Sequence, residues 1–162
     1  MHIPAARPEH KWLANFVGEW TFESSCDMGP GQPPIKTTGT EIIRMIGDFW
    51  IVVEGNGPMP SGGQMTYLML VGFDPDKGKF VGSWIGSPMT FMFVYEGALD
   101  ASGTVLPLCC TGPNPMAPGT MANFQDVHEL TRDGRRAMWS QIQRPDGTWQ
   151  KFMHVTFQKR KC

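Results

Sequence analysis

The connections of this chain come in two kinds, and the kinds alternate. Four are tight turns built from Gly or Asp: Gly47-Asp48, Asp74–Gly78, Asp100–Gly103 and Arg132–Gly134. Three are longer and rich in Pro and Gly: MGPGQPP (28–34), GPMPSGG (57–63) and GPNPMAPG (112–119). Ser87-Pro88-Met89 and Arg144–Gly147 complete the set. Counted along the chain, the tight turns are the second, fourth, sixth and eighth connections; every other connection is odd. In an antiparallel meander, successive connections fall at opposite ends of the sheet. One end is therefore closed by hairpin turns, and the other carries all the long loops.

The segments between these turns alternate with period two or run as short apolar blocks, which is the pattern of an all-β chain. Ten strands are predicted, over 18–27, 35–46, 49–56, 64–73, 79–86, 90–99, 104–111, 120–131, 135–143 and 149–158. In the first, Trp20, Phe22 and Ser24 point one way and Glu19, Thr21 and Glu23 the other. One helix precedes them, Pro8 to Phe16. Proline suits its first turn, Trp12, Leu13 and Phe16 share a face, and Gly18 stops it. The first strand begins at the tight-turn end. Gly18-Glu19-Trp20 thus lies on a floor that the helix can cap, with Trp20 as its plug. At 162 residues and 41% hydrophobic content, the chain suits one domain, 1–162: a ten-stranded antiparallel up-and-down barrel.

Fourteen Lys and Arg against fifteen Asp and Glu give a net charge of −1. No dense basic patch points to nucleic acid, and the terminal Lys159-Arg160-Lys161 reads as a solvated end. No run approaches the roughly 18 apolar residues of a spanning helix, and MHIPAARPEHKW lacks the apolar segment of a signal peptide. The expectation is a cytoplasmic protein with no membrane partner. Cys26, Cys109, Cys110 and Cys162 lack metal-type spacing, and neighbours on a strand point to opposite faces. All four read as reduced thiols, and no metal or cofactor is expected. P-loop, G-x-S-x-G and HExxH motifs are absent.

Gly-x-Trp on a first strand after a short helix resembles the calycins, the lipocalin and fatty-acid-binding barrels. HKWLANFVGEWTFE, GTEIIRMIGDFWIVVEGNG and GFDPDKGKFVGSWIGSPMTFMFVYEGALD together resemble a bacterial family catalogued as a domain of unknown function, over residues 10–158. That resemblance implies a lipocalin-like barrel and no particular activity. The chain is also similar to nitrobindin-like barrels, ten-stranded haem proteins that ligate iron through a late His. The matching position here is His154 in KFMHVTFQ. After the first-strand Trp, however, the chain continues Thr-Phe-Glu where those proteins have more glycines.

The candidate ligand-binding residues are Glu41, Trp50, Glu54, Tyr67, Trp84, Phe93, Glu96, Trp139 and His154. Lys36 and Arg44 share a face suited to the outside, which turns Glu41 inward. If Trp50 faces inward, so does Glu54, four residues on. Glu96 lies among apolar residues. A buried carboxylate needs a partner, so an interior Glu would anchor a ligand or handle a proton. Trp84, Tyr67 and Trp139 offer rings to an apolar molecule entering past Met28, Met59, Met89 and Met116 in the odd-end connections. YLMLVGF, FVGSWIG and FMFVY are apolar on both faces, which suggests a homodimer covering the outer one. The expected function is binding of a small apolar molecule rather than catalysis. The alternatives are an enzyme using interior Glu or His as acid–base groups, haem binding at His154, or a packed interaction module.

Overall fold

The computed structural model describes residues 1–59 and 61–161. Pro60, one of the loop prolines, and the thiol of Cys162 lie outside the described residues. Helix α1 (Pro8–Ala14) is followed by β1 (Gly18–Cys26), β2 (Ile35–Ile46), β3 (Trp50–Pro58), β4 (Gln64–Asp74), β5 (Lys79–Gly86), β6 (Phe93–Gly97), β7 (Val105–Pro113), β8 (Met121–Leu130), β9 (Arg136–Gln143) and β10 (Trp149–Lys159). Each strand pairs antiparallel with its neighbours in sequence, and β1 also pairs with β10, which closes the barrel. Closure removes the exposed edges that an open ten-stranded sheet would carry. No described helix is long and apolar enough to cross a membrane.

The tight turns do gather at one end, and α1 covers that end. His10 shows the contact directly. Its Nε2 is 3.0 Å from the carbonyl oxygen of Phe73, and its ring stands edge-on to Phe49 and Phe73, residues beside the second and fourth connections. Leu13 and Phe16 are buried in the core beneath the helix. The helix ends at Ala14, two residues before the expected stop, because the Asn15 side chain caps it. Its amide donates to the carbonyls of Lys11 and Trp12 at 3.2 and 3.3 Å. Trp20 is the plug: it is 2% exposed, and its indole N–H donates to the carbonyl of Phe16 at 2.8 Å.

Nine strands keep their expected positions within two residues. The sixth is the exception, with five residues where ten were expected. Phe91 turns its ring onto Phe93, 5.1 Å between centroids, and the chain before it takes no part in the sheet. β6 therefore pairs with β5 at five positions but with β7 at only two, Glu96↔Cys109 and Gly97↔Leu108. A second irregularity is a bulge in β10 between Lys151 and Met153, which frees Phe152 from the strict alternation.

Cys109 is exposed and Cys110 buried, as adjacent strand positions require; with Cys26 they are free thiols. On the outer wall Ile85 and Val94 are exposed, so the central strands do carry apolar residues on their second face.

Candidate functional site

Alternation along each strand decides what the interior receives. Near the floor the lining is apolar, with Ile43, Ile51, Val71, Phe80, Leu106 and Leu130 all buried. Towards the mouth it becomes aromatic. Tyr67 (β4), Trp84 (β5), Phe93 (β6), Phe124 (β8) and Phe152 (β10) form a continuous chain of rings, with centroid separations of 5.7, 6.0, 6.2 and 6.3 Å. All five are only half-buried. Glycines make room for this collar. Tyr67 lies across Gly55, Trp84 across Gly86 and Phe93 across Gly112, and a methyl group at any of these glycines would collide with the ring. With no side chain beneath it, each ring can lie against the wall and leave the axis clearer.

A chain of polar groups hangs from the collar. The Tyr67 hydroxyl donates to one oxygen of Glu41, and Nη2 of Arg136 donates to the other at 3.0 Å. Tyr67 is on β4, Glu41 on β2 and Arg136 on β9. Since β4 and β9 stand on opposite walls of the closed ring, the chain crosses the interior. The Glu41 and Arg136 side chains are 6% and 2% exposed. Three rings surround the guanidinium carbon, at 3.9 Å (Phe157), 4.8 Å (Trp20) and 5.0 Å (Phe16). Burial, and then the Glu41 charge, push the Tyr67 phenol far above its ordinary range. Tyr67 is thus a fixed donor rather than a titrating acid.

A second network lies beside the first. Tyr95 and Ser140 both donate hydroxyl protons to Asp126, the serine at 2.6 Å. Asp126 is half-buried overall, yet its carboxyl lies deep enough for lost hydration to dominate and raise its pKa. The two hydrogen bonds only oppose that. Nearby, burial pushes the Cys110 thiol up to about 12, with Asp126 contributing. Burial, with help from the Arg136 charge, pulls His128 down to about 3. Neither Cys110 nor His128 is poised for proton transfer near neutral pH. Two atoms in this region have no hydrogen-bond partner among the described residues: Nε2 of His128 and Nη1 of Arg136.

The nine candidates divide by face. Glu41, Tyr67, Trp84 and Phe93 turn inward and converge on the collar and its polar chain. The other five stand on the outside. Pairing of Ile46 with Trp50 turns Ile51, Val53 and Gly55 inward, so Trp50 and Glu54 face out. Trp50 lies across Gly72, and Glu54 meets Arg44 at 3.6 Å. Glu96 bonds Lys77 at 3.0 Å and lies 3.6 Å from Lys79. Trp139 carries the Lys151 ammonium over its ring at 4.4 Å. His154, its cross-strand neighbour, is exposed. It borders an open groove of about 510 Å³ lined also by Glu23, Lys36, Thr38 and Thr156. Ile35, Pro58 and Met59 also line it, and the groove stands on the outer wall rather than inside the barrel. Among the described residues, no three His, Cys, Asp or Glu side chains converge on a point that could hold a metal.

Arg136, Asp126, Tyr95 and Ser140 were not anticipated. For Asp126 a signal existed: Phe124, His128 and Leu130 share its parity on β8, so an inward Phe124 carries Asp126 inward too. For Arg136 the adjacent Arg135 left either residue free to be the inward one.

A second groove, of about 550 Å³, follows the β6–β7 seam. Its outer lining includes Met92, Val94, Cys109 and Trp149, and its base is formed by inward-facing Cys110 and Phe124. Here the collar reaches the surface.

Comparison with known proteins gives a fold and a family. Rv2717c from M. tuberculosis, a solved structure, is 14% identical with a TM-score of 0.65, covering 97% of this chain and 100% of that one. At that identity the likeness concerns the fold alone. A redesigned β-barrel, b11L5F_LGL, is 11% identical with a TM-score of 0.49, covering 98% and 100%. No curated protein matches significantly. The model of the family described as "Protein of unknown function (DUF1579)" matches residues 5–159, nearly the whole barrel, and the chain belongs to that family.

Proposed function

We propose that the barrel binds a small, mostly apolar molecule against its aromatic collar. The observation that carries this is the collar itself: five linked rings at the loop-bearing end, half-buried and backed by glycine. The seam groove on the outer wall borders Phe124, where the collar comes nearest to the surface. Tyr67 joins the apolar collar to the buried charge pair, so the site has both a greasy wall and a polar end.

A hydrophobic fluorescent probe tests this reading. It should bind the native protein and alter tryptophan emission through Trp84. Trp84→Ala should weaken binding about tenfold, as loss of a large aromatic contact does. Changes in the Asp100–Gly103 turn, at the far end, should leave it unaltered. An equal response at both ends, or no binding, removes the proposal. As part of the same proposal, the expected second copy of the chain covers exposed Ile85 and Val94 on β5 and β6. Sedimentation as a monomer at high micromolar concentration would dismiss that pairing.

A further inference from the structure

Resting on that reading, the polar end of the site has a definite chemistry. Arg136 already gives Nη2 to Glu41, so the buried cation is neutralised by the protein's own carboxylate. Asp126, the other interior acid, has no cation on it; Tyr95 and Ser140 hold it. An entering carboxylate would meet one spent cation and two acids. What remains is Nη1 of Arg136, a donor, and Nε2 of His128, both on side chains more than nine-tenths buried and without partners among the described residues. Leu130 pairs with Arg136 and His128 with Met138, so Arg136 and His128 are diagonal neighbours on adjacent strands, about 7–8 Å apart. A hydroxyl can accept from the guanidinium and either donate to or accept from the imidazole, whichever tautomer it holds. An unpaired buried donor or acceptor is costly, so a ligand satisfying both gains by relieving that cost.

We propose that the interior site takes an uncharged, hydroxyl-tipped apolar molecule, with the hydroxyl at Arg136 Nη1 and His128 Nε2 and the hydrocarbon against the collar, and that it discriminates against carboxylates. Its span follows from β8. Phe124 of the collar and His128 lie four residues apart, about 13 Å along the strand, which suits a medium-length chain.

The test is displacement of the bound fluorescent probe by 1-decanol and by ionised decanoate at pH 8. Any apolar pocket disfavours a charged tip, so the informative quantity is how the preference changes. In the native protein decanol should compete at concentrations at least about tenfold lower than decanoate. Glu41→Gln frees the guanidinium, so it should narrow or reverse that ratio, and decanoate should then raise the melting temperature of this variant but not of the native protein. His128→Leu keeps the charge pair and guards against a poorly folded Glu41 variant. It should weaken decanol about five- to tenfold more than it weakens the probe. Probe binding with decanoate equal to or better than decanol would overturn the hydroxyl assignment and leave the apolar site standing. So would unchanged decanol affinity in His128→Leu. Failure of the probe itself to bind the native protein would remove the site altogether.

Discussion

Replacing Arg136 by Met is the sharpest test of how the interior holds together. The substitution keeps roughly the same length and removes the cation that faces Glu41 at 3.0 Å. Glu41 is then a carboxylate 6% exposed with only the Tyr67 hydroxyl for a partner. Breaking a buried pair in this way costs about 3–5 kcal/mol. The guanidinium also leaves three aromatic rings, worth about 0.5–2 kcal/mol each when desolvated, though the methionine sulfur recovers part of that. A loss near 4 kcal/mol is the working figure. Glu41→Leu alone should cost a similar amount, because it strands the Arg136 charge and orphans the Tyr67 hydroxyl. The double variant should cost less than either single one. It buries no charge, and only the Tyr67 hydroxyl is unsatisfied, at about 1–3 kcal/mol. Adding Tyr67→Phe should bring stability back towards the native value. Urea unfolding at pH 7, followed by tryptophan emission with a constant m-value, measures all four. If the double variant loses the sum of the two single losses, the groups are independent and the crossing chain is not a unit.

Three further outcomes follow from the structure. Trp20→Ala should cost about 3–5 kcal/mol, since it opens the floor under Phe16 and beside Arg136; an unchanged thermal melt would refute the plug. Gly55→Ala should destabilise by about 1–3 kcal/mol, because the new methyl meets the Tyr67 ring, and Tyr67→Ala in the same chain should relieve part of that strain; simple additivity would contradict the packing. His128 is held near 3 against an ordinary 6.5, so between those values the unfolded chain binds the extra proton and stability falls as pH falls. Its full contribution to acid sensitivity is about 4–5 kcal/mol by that difference. Asp126 acts in the opposite sense, because its raised pKa favours the folded state at low pH and loses that advantage as pH rises. His128→Leu should therefore flatten the acid limb of the stability profile between about 6.5 and 3; an identical slope would show that His128 is not buried in its neutral form.

The architecture was legible because turn chemistry and meander geometry are local rules. Asp74–Gly78 and the proline-rich loop at 112–119 announce themselves without reference to distant residues, and their alternation predicts which end is which. Facing was not legible where both faces are apolar. In WIVVEG nothing distinguishes Trp50 from Ile51 as the inward residue; the choice is made by the Gly47-Asp48 turn, which pairs Ile46 with Trp50. Glu41 could be assigned because charged Lys36 and Arg44 mark the outer face of its strand. Glu54 could not, and it went to Arg44 on the outside. Arg136 is the instructive omission. A charged residue beside a turn reads as solvated, and only a carboxylate 95 positions away makes its burial tolerable. Such long-range pairings have no local signature.

The short sixth strand changes how the closed sheet should behave in time. A ring of ten hydrogen-bonded strands is no more durable than its weakest junction, and two register pairs join β6 to β7 where most neighbouring strands share seven or more. Backbone amides of 93–97 and 105–113 should therefore exchange with solvent sooner than those of β2 and β3, through brief local partings that leave the capped floor intact. The wall behaves as a clasp, fastened by Phe93 over Gly112 and Phe124 instead of by a full ladder. If the proposed ligand leaves through this junction, a cysteine pair pinning β6 to β7 should slow its release far more than it alters equilibrium affinity.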